Sequence, residues 1–470
     1  MSTLKQHLGA LLLAGFCTAA QAQQAALPAA PESHLLMAAA GQAPMQNAPG
    51  ATAADQSSSV PPSTGPRLTV ADAEQMAIRN NPNISVAHLL ALALAQVTRE
   101  ARSAELPAAF GDLTAVGAHE NSRITAGALN NPSIYDRAAG GLTVSQLITD
   151  FGRTHNLVES ARSNARAELE NEHATDLDIT LTVDEAFYRA LTAQAVLRVA
   201  QQTVAQRQAT GDQVTALTKA KIKSDLDMSF ANVQVAQANL MLVDAQSDEQ
   251  AAMAALDDVL GLETDQQYTL VDDTDGTPPA APEDGEALVK SALAARPDLA
   301  AMNDQTLAAK QYSTAERDLW LPTVSALAAV GGTPVRADQI QSSWYGAAGA
   351  NISIPVFNGF LFNAEAREAK LRAQADQEKV RNLRDMIARD VRTAVLNAQA
   401  AFQRIGVTQE MLKQANFAMD LAQARYKIGL SSIVELTQAQ LAQTQAEIAN
   451  TSARYAYQTA LAEVRYQLGQ

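Results

Sequence analysis

The chain has 470 residues, is 47% hydrophobic but only 4% aromatic, and carries a formal net charge of −15 at pH 7. That balance argues against nucleic acid as a partner, because phosphate binding needs a basic face. Much of the apolar content is alanine, which suits closely packed helices better than a bulky enzyme core. No run reaches the ~20 apolar residues of a transmembrane helix.

The first residues read as a secretory signal. Lys5 supplies the charge, Leu8 to Phe16 the apolar stretch, and Ala20-Gln21-Ala22 a cleavage site, so residues 1–22 are expected to be removed on export from a bacterial cytoplasm. Cys17 is the only cysteine, and the bulky Phe16 before it argues against a lipid anchor. A chain cut after Ala22 has no thiol, so its stability must come from packing and assembly. Residues 23–66 are rich in Ala, Gln and Pro and are expected to form a flexible leader.

From residue 67 onward the sequence is written twice. LTVADAEQMAIRNNP ends on Asn81-Pro82 and is answered by EALVKSALAARP, ending on Arg296-Pro297; Leu106-Pro107 is answered by Leu321-Pro322. Both proline pairs lie 215 positions apart (297 − 82 and 322 − 107). Further on, LTVSQLITDFG is answered by NISIPVFNGF, VDEAFYRALTAQA by VRTAVLNAQAAFQ, and Leu260-Gly261 by Leu468-Gly469, now 208 apart (391 − 183 and 468 − 260). The change of offset falls where an exposed hairpin tip tolerates extra length. Two units are therefore expected, 67–261 and 287–470, each a helix, a β-hairpin and two long helices, joined by a linker at 262–286.

No proline lies between Pro132 and Pro278 or after Pro355, and Gly211 is the only glycine in 153–260. Val380, Leu383, Ile387, Val391, Ala394 and Ala398 make a stripe with three- and four-residue steps, as a packed, coiled-coil-like helix requires. A helix from about 153 to 217 would span ~100 Å. That length suits a conduit or a spacer rather than a compact enzyme.

Strand-like stretches lie between the Leu-Pro pairs and the long helices: AAFGDLTAVGAHE, GGLTVSQLITDF, LPTVSALAAVGG and YGAAGANISIPVF. Their alternation is weak, as in outer-membrane barrels. Trp320, Trp344 and Tyr345 flank them and are expected at the lipid interface. Four strands cannot close a barrel, and lipid does not tolerate open edges. Three chains pooling their strands would make twelve, around a water-filled lumen.

ADAEQMAIRNNP, LTVSQLITDFGR, ISIPVFNGF and ARYKIGLSSIVEL (424–436), in that order over about residues 68–470, resemble the TolC family of outer-membrane efflux and secretion channels. The resemblance implies a mainly α fold with a small β part. It implies a homotrimer with a twelve-stranded β-barrel in outer-membrane lipid, an equatorial belt, and a long periplasmic barrel of coiled helices. It also implies docking of a periplasmic adaptor and an inner-membrane pump, RND or ABC type, at the tunnel tip. Ile428-Gly429-Leu430 matches the family's tip turn, so adaptor contact is implied at Gly429 and Leu430. Lys221 stands at the glycine place of the first copy, where the turn is expected to be built differently and adaptor contact loses support.

The resemblance further implies a gate. Tyr426 matches a tyrosine that bonds an aspartate, here Asp227; an arginine of the pattern falls at Ser431; an acidic ring is kept at Glu435 and lost at Gln438. One such Tyr–Asp bond is worth ~1–3 kcal/mol, a scale that a docking partner can overcome. The net negative charge suggests an acidic lumen that favours cations.

The six histidines form no metal-binding spacing, and neither a Gly-rich phosphate loop nor Gly-x-Ser-x-Gly occurs. No cofactor, metal site or catalytic residue is expected, the chain is not read as an enzyme, and energy for opening must come from a partner. A rival of another class is a trimeric coiled-coil spacer or adhesin without channel activity. A secreted hydrolase on a helical scaffold would need clustered titratable groups, and the sequence offers none.

Overall fold

The computed structural model describes residues 66–117, 136–262, 268–272, 279–282, 285–335 and 342–470. The expected signal segment, Cys17 and the leader up to residue 65 lie outside the described residues, as do both β-hairpin tips.

Strand β1 (Arg67–Leu68) leads into helices α1 (Val70–Asn80) and α2 (Pro82–Ser103). Thr69 caps α1, accepting from the Asp72 amide at 3.2 Å. Asn81 caps α2 through the Asn83 amide at 2.9 Å, and Pro82 at the first helical position loses no hydrogen bond there. Strands β2 (Ala108–Val116) and β3 (Arg137–Thr149) follow, then the 67-residue α3 (Arg153–Lys219) and the 35-residue α4 (Asp225–Val259). After β4 (Thr269–Leu270) the same order returns: α5 (Gly285–Ala295), α6 (Pro297–Arg317), a 3-10 turn at Asp318–Trp320, β5 (Thr323–Val335), β6 (Trp344–Ser353), the 67-residue α7 (Leu361–Lys427) and the 35-residue α8 (Ile433–Gln467). The described chain is thus mostly helical, with a four-stranded sheet and a two-residue parallel pairing of β1 with β4. No described helix is long and apolar enough to cross a membrane.

Each long helix runs for ~100 Å at ~1.5 Å per residue. Short helices lie along it: α2 and α4 pack on α3, and α6 and α8 pack on α7. The short helices meet end to end. Asn81 Nδ2 donates to the Val259 carbonyl at 3.0 Å where α2 meets α4, and Arg296 donates to Gln467 where α6 meets α8. The α4 face buries Ala231, Ala238, Ala245 and Ala252, one alanine every seventh residue. So small a side chain at one heptad position lets helix backbones approach closely. On α7, Ile387, Val391, Ala394 and Ala398 of the expected stripe are buried, with Val380 and Leu383 packed against them.

Eight described residues hold positive φ, and they form four pairs, each 208 positions apart: Phe151 and Gly359, Gly152 and Phe360, Lys221 and Gly429, Gly261 and Gly469. The backbone therefore takes the same unusual conformation at equivalent places in the two halves. Between the halves, the linker is pinned to the second one. The Tyr455 hydroxyl donates to Asp272 at 2.6 Å, that of Tyr457 to the Pro279 carbonyl at 2.6 Å, and Gln399 to the Pro282 carbonyl at 2.8 Å. β4 pairs with β1 in parallel.

A seam of charge also joins the halves near this level. Arg465 of α8 bonds Asp184 of α3 at 2.8 Å, and the Tyr466 hydroxyl donates to Asp178 at 2.6 Å. Asp184 is 2% exposed. Burial pushes its carboxyl up to about 7; Arg465 opposes this, and the neighbouring Glu74 adds to it.

Candidate functional site: the helical tip and the open sheet

Two places collect the residues singled out by sequence. The first is the end of the molecule where α3 turns into α4 and α7 into α8. The second turn runs through Gly429 at φ +77. The Gly429 amide donates to the Tyr426 carbonyl at 3.1 Å and the Leu430 amide to the Arg425 carbonyl at 2.9 Å. That left-handed residue ends α7 as glycine commonly does, since it carries no Cβ to clash.

The first turn corrects an expectation. Lys221 takes the same conformation, at φ +59, and is not built differently. Its amide donates to Thr218 and that of Ile222 to Leu217, both at 2.9 Å, the same pair of bonds 208 positions earlier. The bonds that satisfy the last carbonyls of the helix outweigh the cost of a side chain in the left-handed region, about 1–2 kcal/mol. Lys221→Gly is therefore expected to stabilise the first turn by about 1 kcal/mol, slowing amide exchange of residues 217–226 about fivefold by mass spectrometry. Faster exchange would show that lysine is not strained there.

A serine starts the returning helix in both turns. Ser432 accepts from the Glu435 amide at 3.3 Å, and Ser224 from the Asp227 amide at 3.2 Å. Asp227 completes a capping box, its carboxylate accepting from the Ser224 amide at 3.2 Å and the Ser224 hydroxyl at 3.0 Å. This corrects the expected Tyr426–Asp227 bond within the chain. Asp227 is engaged locally, and the Tyr426 hydroxyl is buried without a hydrogen-bond partner.

Tyr426 is held instead by packing. It is 4% exposed and shares a cluster with Val214, Ala231, Met419, Ile433 and Leu436, which ties the tips of both helical hairpins together. Burial pushes its phenol pKa up, and the charge of nearby Asp227 adds to the rise. Lys223 Nζ lies 4.4 Å from the centre of its ring, in cation–π range. Ser431 Oγ is also buried without a partner. Glu435 meets Arg425 of α7 across the turn at 3.5 Å. Both are about half exposed, so the pair contributes at most about 1 kcal/mol. Arg425, missed by sequence reasoning, had a legible signal, an opposite charge placed across a helical turn. Ile428 and Leu430 are exposed at the apex, as is Ile222 beside Lys221.

The second place is the sheet, antiparallel in the order β2-β3-β5-β6 with β2 and β6 as open edges. The register sorts its faces, because side chains alternate and directly paired residues share a face. One face carries Leu113, Leu142, Val144, Val330, Ile352 and Trp344 with alanines between them, and Gln146 as a polar exception. The other carries Asp112, Arg137, Thr143, Ser145, Ser325 and Asn351 with many small residues, and Phe110, Val116, Leu147 and Leu327 among its apolar exceptions.

The three aromatic residues expected at the lipid interface fall at two ends of the strands and on two faces. Trp344 lies on the apolar face, its ring against the Gly346 position. Tyr345 lies on the polar face, a correction that follows from strand alternation. Its ring crosses β5 towards β3, and a Cβ at Gly331 or Gly141 would collide with its hydroxyl. Trp320 stands before the opposite end of β5, edge-on to Phe362 at 5.7 Å. From Thr323 to Gly332, which pairs with Trp344, the strand runs ~30 Å at ~3.3 Å per residue, the length a tilted barrel strand needs to cross a bilayer core.

No group of three metal-ligating side chains occurs among the described residues. Comparison with known proteins gives the arrangement a family. The family model for outer membrane efflux proteins matches residues 74–262 and 288–470. Outer membrane protein TolC of Salmonella enteritidis is 25% identical over 180 residues, 36% of this chain and 36% of that protein, so the match spans about a third of its length. Pyoverdine export outer membrane protein OpmQ of Pseudomonas putida is 25% identical over 347 residues, 70% of this chain and 67% of that one. Among solved structures, the CmeC outer membrane channel of Campylobacter jejuni shares the fold with a TM-score of 0.75 at 16% identity, covering 85% of each chain. The chain therefore belongs to the outer membrane efflux protein family, and its place is the Gram-negative outer membrane with a large periplasmic part.

Proposed function

We propose that this chain is one third of a passive exit duct for a tripartite efflux pump or a type I secretion system. The observation that carries the reading is the four-stranded sheet, with two open edges, one apolar face and one largely polar face. Such a sheet is stable in lipid only when its edges are paired and its apolar face meets the hydrocarbon. Three copies joined β6 to β2 make a twelve-stranded barrel with the polar face turned to a water-filled lumen. The long helices then continue the lumen into the periplasm.

The halves 67–261 and 287–470 are, in this reading, copies of one unit, supported by the matched left-handed positions and helix lengths. The tip is the gate. Tyr426, Asp227, Ser431 and Glu435 lie at its closing end, and Ile428, Gly429, Leu430 and Lys221 offer the apex to a periplasmic adaptor and an inner-membrane pump. Docking shifts the population towards an open tip.

The test is single-channel recording of the purified trimer in a planar bilayer. Discrete channels of low conductance are expected. A folded trimer that gives no channels would leave a structural spacer as the function.

A further inference from the structure

The polar face of the sheet holds one charged side chain in its middle reach, and two large aromatic residues share that face, Phe110 on the same strand and Tyr345 in the same row. The register sets Asp112, Gly141, Gly331 and Tyr345 in one row across all four strands. The two glycines are the bed on which the Tyr345 ring lies, directed along the row towards β2. Phe110 precedes Asp112 by two residues, so it shares the face ~7 Å along the strand. It is 61% exposed and Tyr345 43% exposed, on a face otherwise made mostly of Ala, Gly, Ser and Thr. Burial in lipid does not account for them, because both lie on the face away from Leu113, Leu142 and Trp344.

We propose that Asp112, Phe110 and Tyr345 form a binding site for organic ammonium cations on the inner wall of the barrel. The inference rests on the duct reading above, which makes this face the lumen. A carboxylate supplies the charge, and aromatic faces attract a weakly hydrated cation that lies within ~6 Å of the ring centre. Inorganic cations, with tighter hydration, gain less from the rings. Three copies around the lumen would carry three such sites. The other charged residue in the described strands of this four-stranded sheet is Arg137, paired with Val116 on the same face, ~13 Å farther along β3. It opposes the attraction weakly, being beyond one Debye length in physiological salt.

The test is block of single-channel current by tetraethylammonium added on the side of the hairpin loops. Wild type is expected to show concentration-dependent block. Asp112→Asn, Phe110→Leu and Tyr345→Leu are each expected to weaken it about threefold to fivefold, while Phe110→Tyr retains it. Asp112→Asn is isosteric and exposed, so this comparison does not depend on refolding of the sheet. Block of equal strength in wild type and all three variants, or no block of a conducting wild-type channel, would overturn the site while leaving the duct intact. A folded trimer without channels would overturn the duct itself and the site with it.

Discussion

Tyr426→Ala is expected to open the channel, and Tyr426→Phe is not. The ring fills a cluster shared by α3, α4, α7 and α8, so removing it costs about 3 kcal/mol, the scale of other buried aromatic truncations. The hydroxyl makes no hydrogen bond within the chain. Its loss is therefore neutral or slightly stabilising, since a buried, unpaired polar group is itself a cost. Asp227→Ala removes half of a capping box, about 1 kcal/mol, and is expected to give an intermediate result. Single-channel conductance should rise clearly in the alanine variant of Tyr426 and match wild type in the phenylalanine variant. If phenylalanine opens the channel as far as alanine does, the assembled tip uses the hydroxyl and packing is the wrong explanation.

The second large effect is a pH dependence centred on Asp184. Its carboxyl is buried beside Glu74 and paired with Arg465, and burial pushes its pKa from the ordinary 3.8 up to about 7. A raised pKa means that the folded state holds the proton more tightly than the unfolded state. The resulting stabilisation is full below the ordinary carboxyl range and is lost as pH rises through about 7. Unfolding followed by circular dichroism should show stability falling between about pH 4 and pH 7, while Asp184→Asn removes most of that slope. At pH 8 the variant should exceed wild type by about 2 kcal/mol, less than the full shift because Arg465 loses a partner. Arg465 is half exposed and returns to water. A variant with the wild-type slope would place the titration elsewhere.

The sequence by itself determined the helices and where they turn. An absence of proline over long spans, apolar steps of three and four, and serine after each tip turn are local signals, and each acts through a few neighbouring residues. The strands were legible for the same reason, and so was the tip as a place. Sequence did not determine what each tip residue touches. Asp227 had two uses of similar strength open to it, a bond to Tyr426 or its own helix cap. The cap lies three residues away and needs no other element to arrive. Lys221 occupies a glycine place, and only the closed helical hairpin showed that backbone hydrogen bonds force lysine into glycine's conformation. Tyr345 and Trp344 are neighbours in sequence and opposites in the sheet. Which of them faces the apolar side depends on the pairing of β5 with β6, and a shift of one residue would exchange them. The burial of the α4 alanine heptad and of Asp184 likewise required the tertiary structure, whereas the Arg425–Glu435 pair spans a single turn and had a signal in the sequence. Which face is buried and which partner a side chain meets depend on elements that fold against the segment, 281 positions away for Asp184 and Arg465, and the periodicity of one segment carries no information about them.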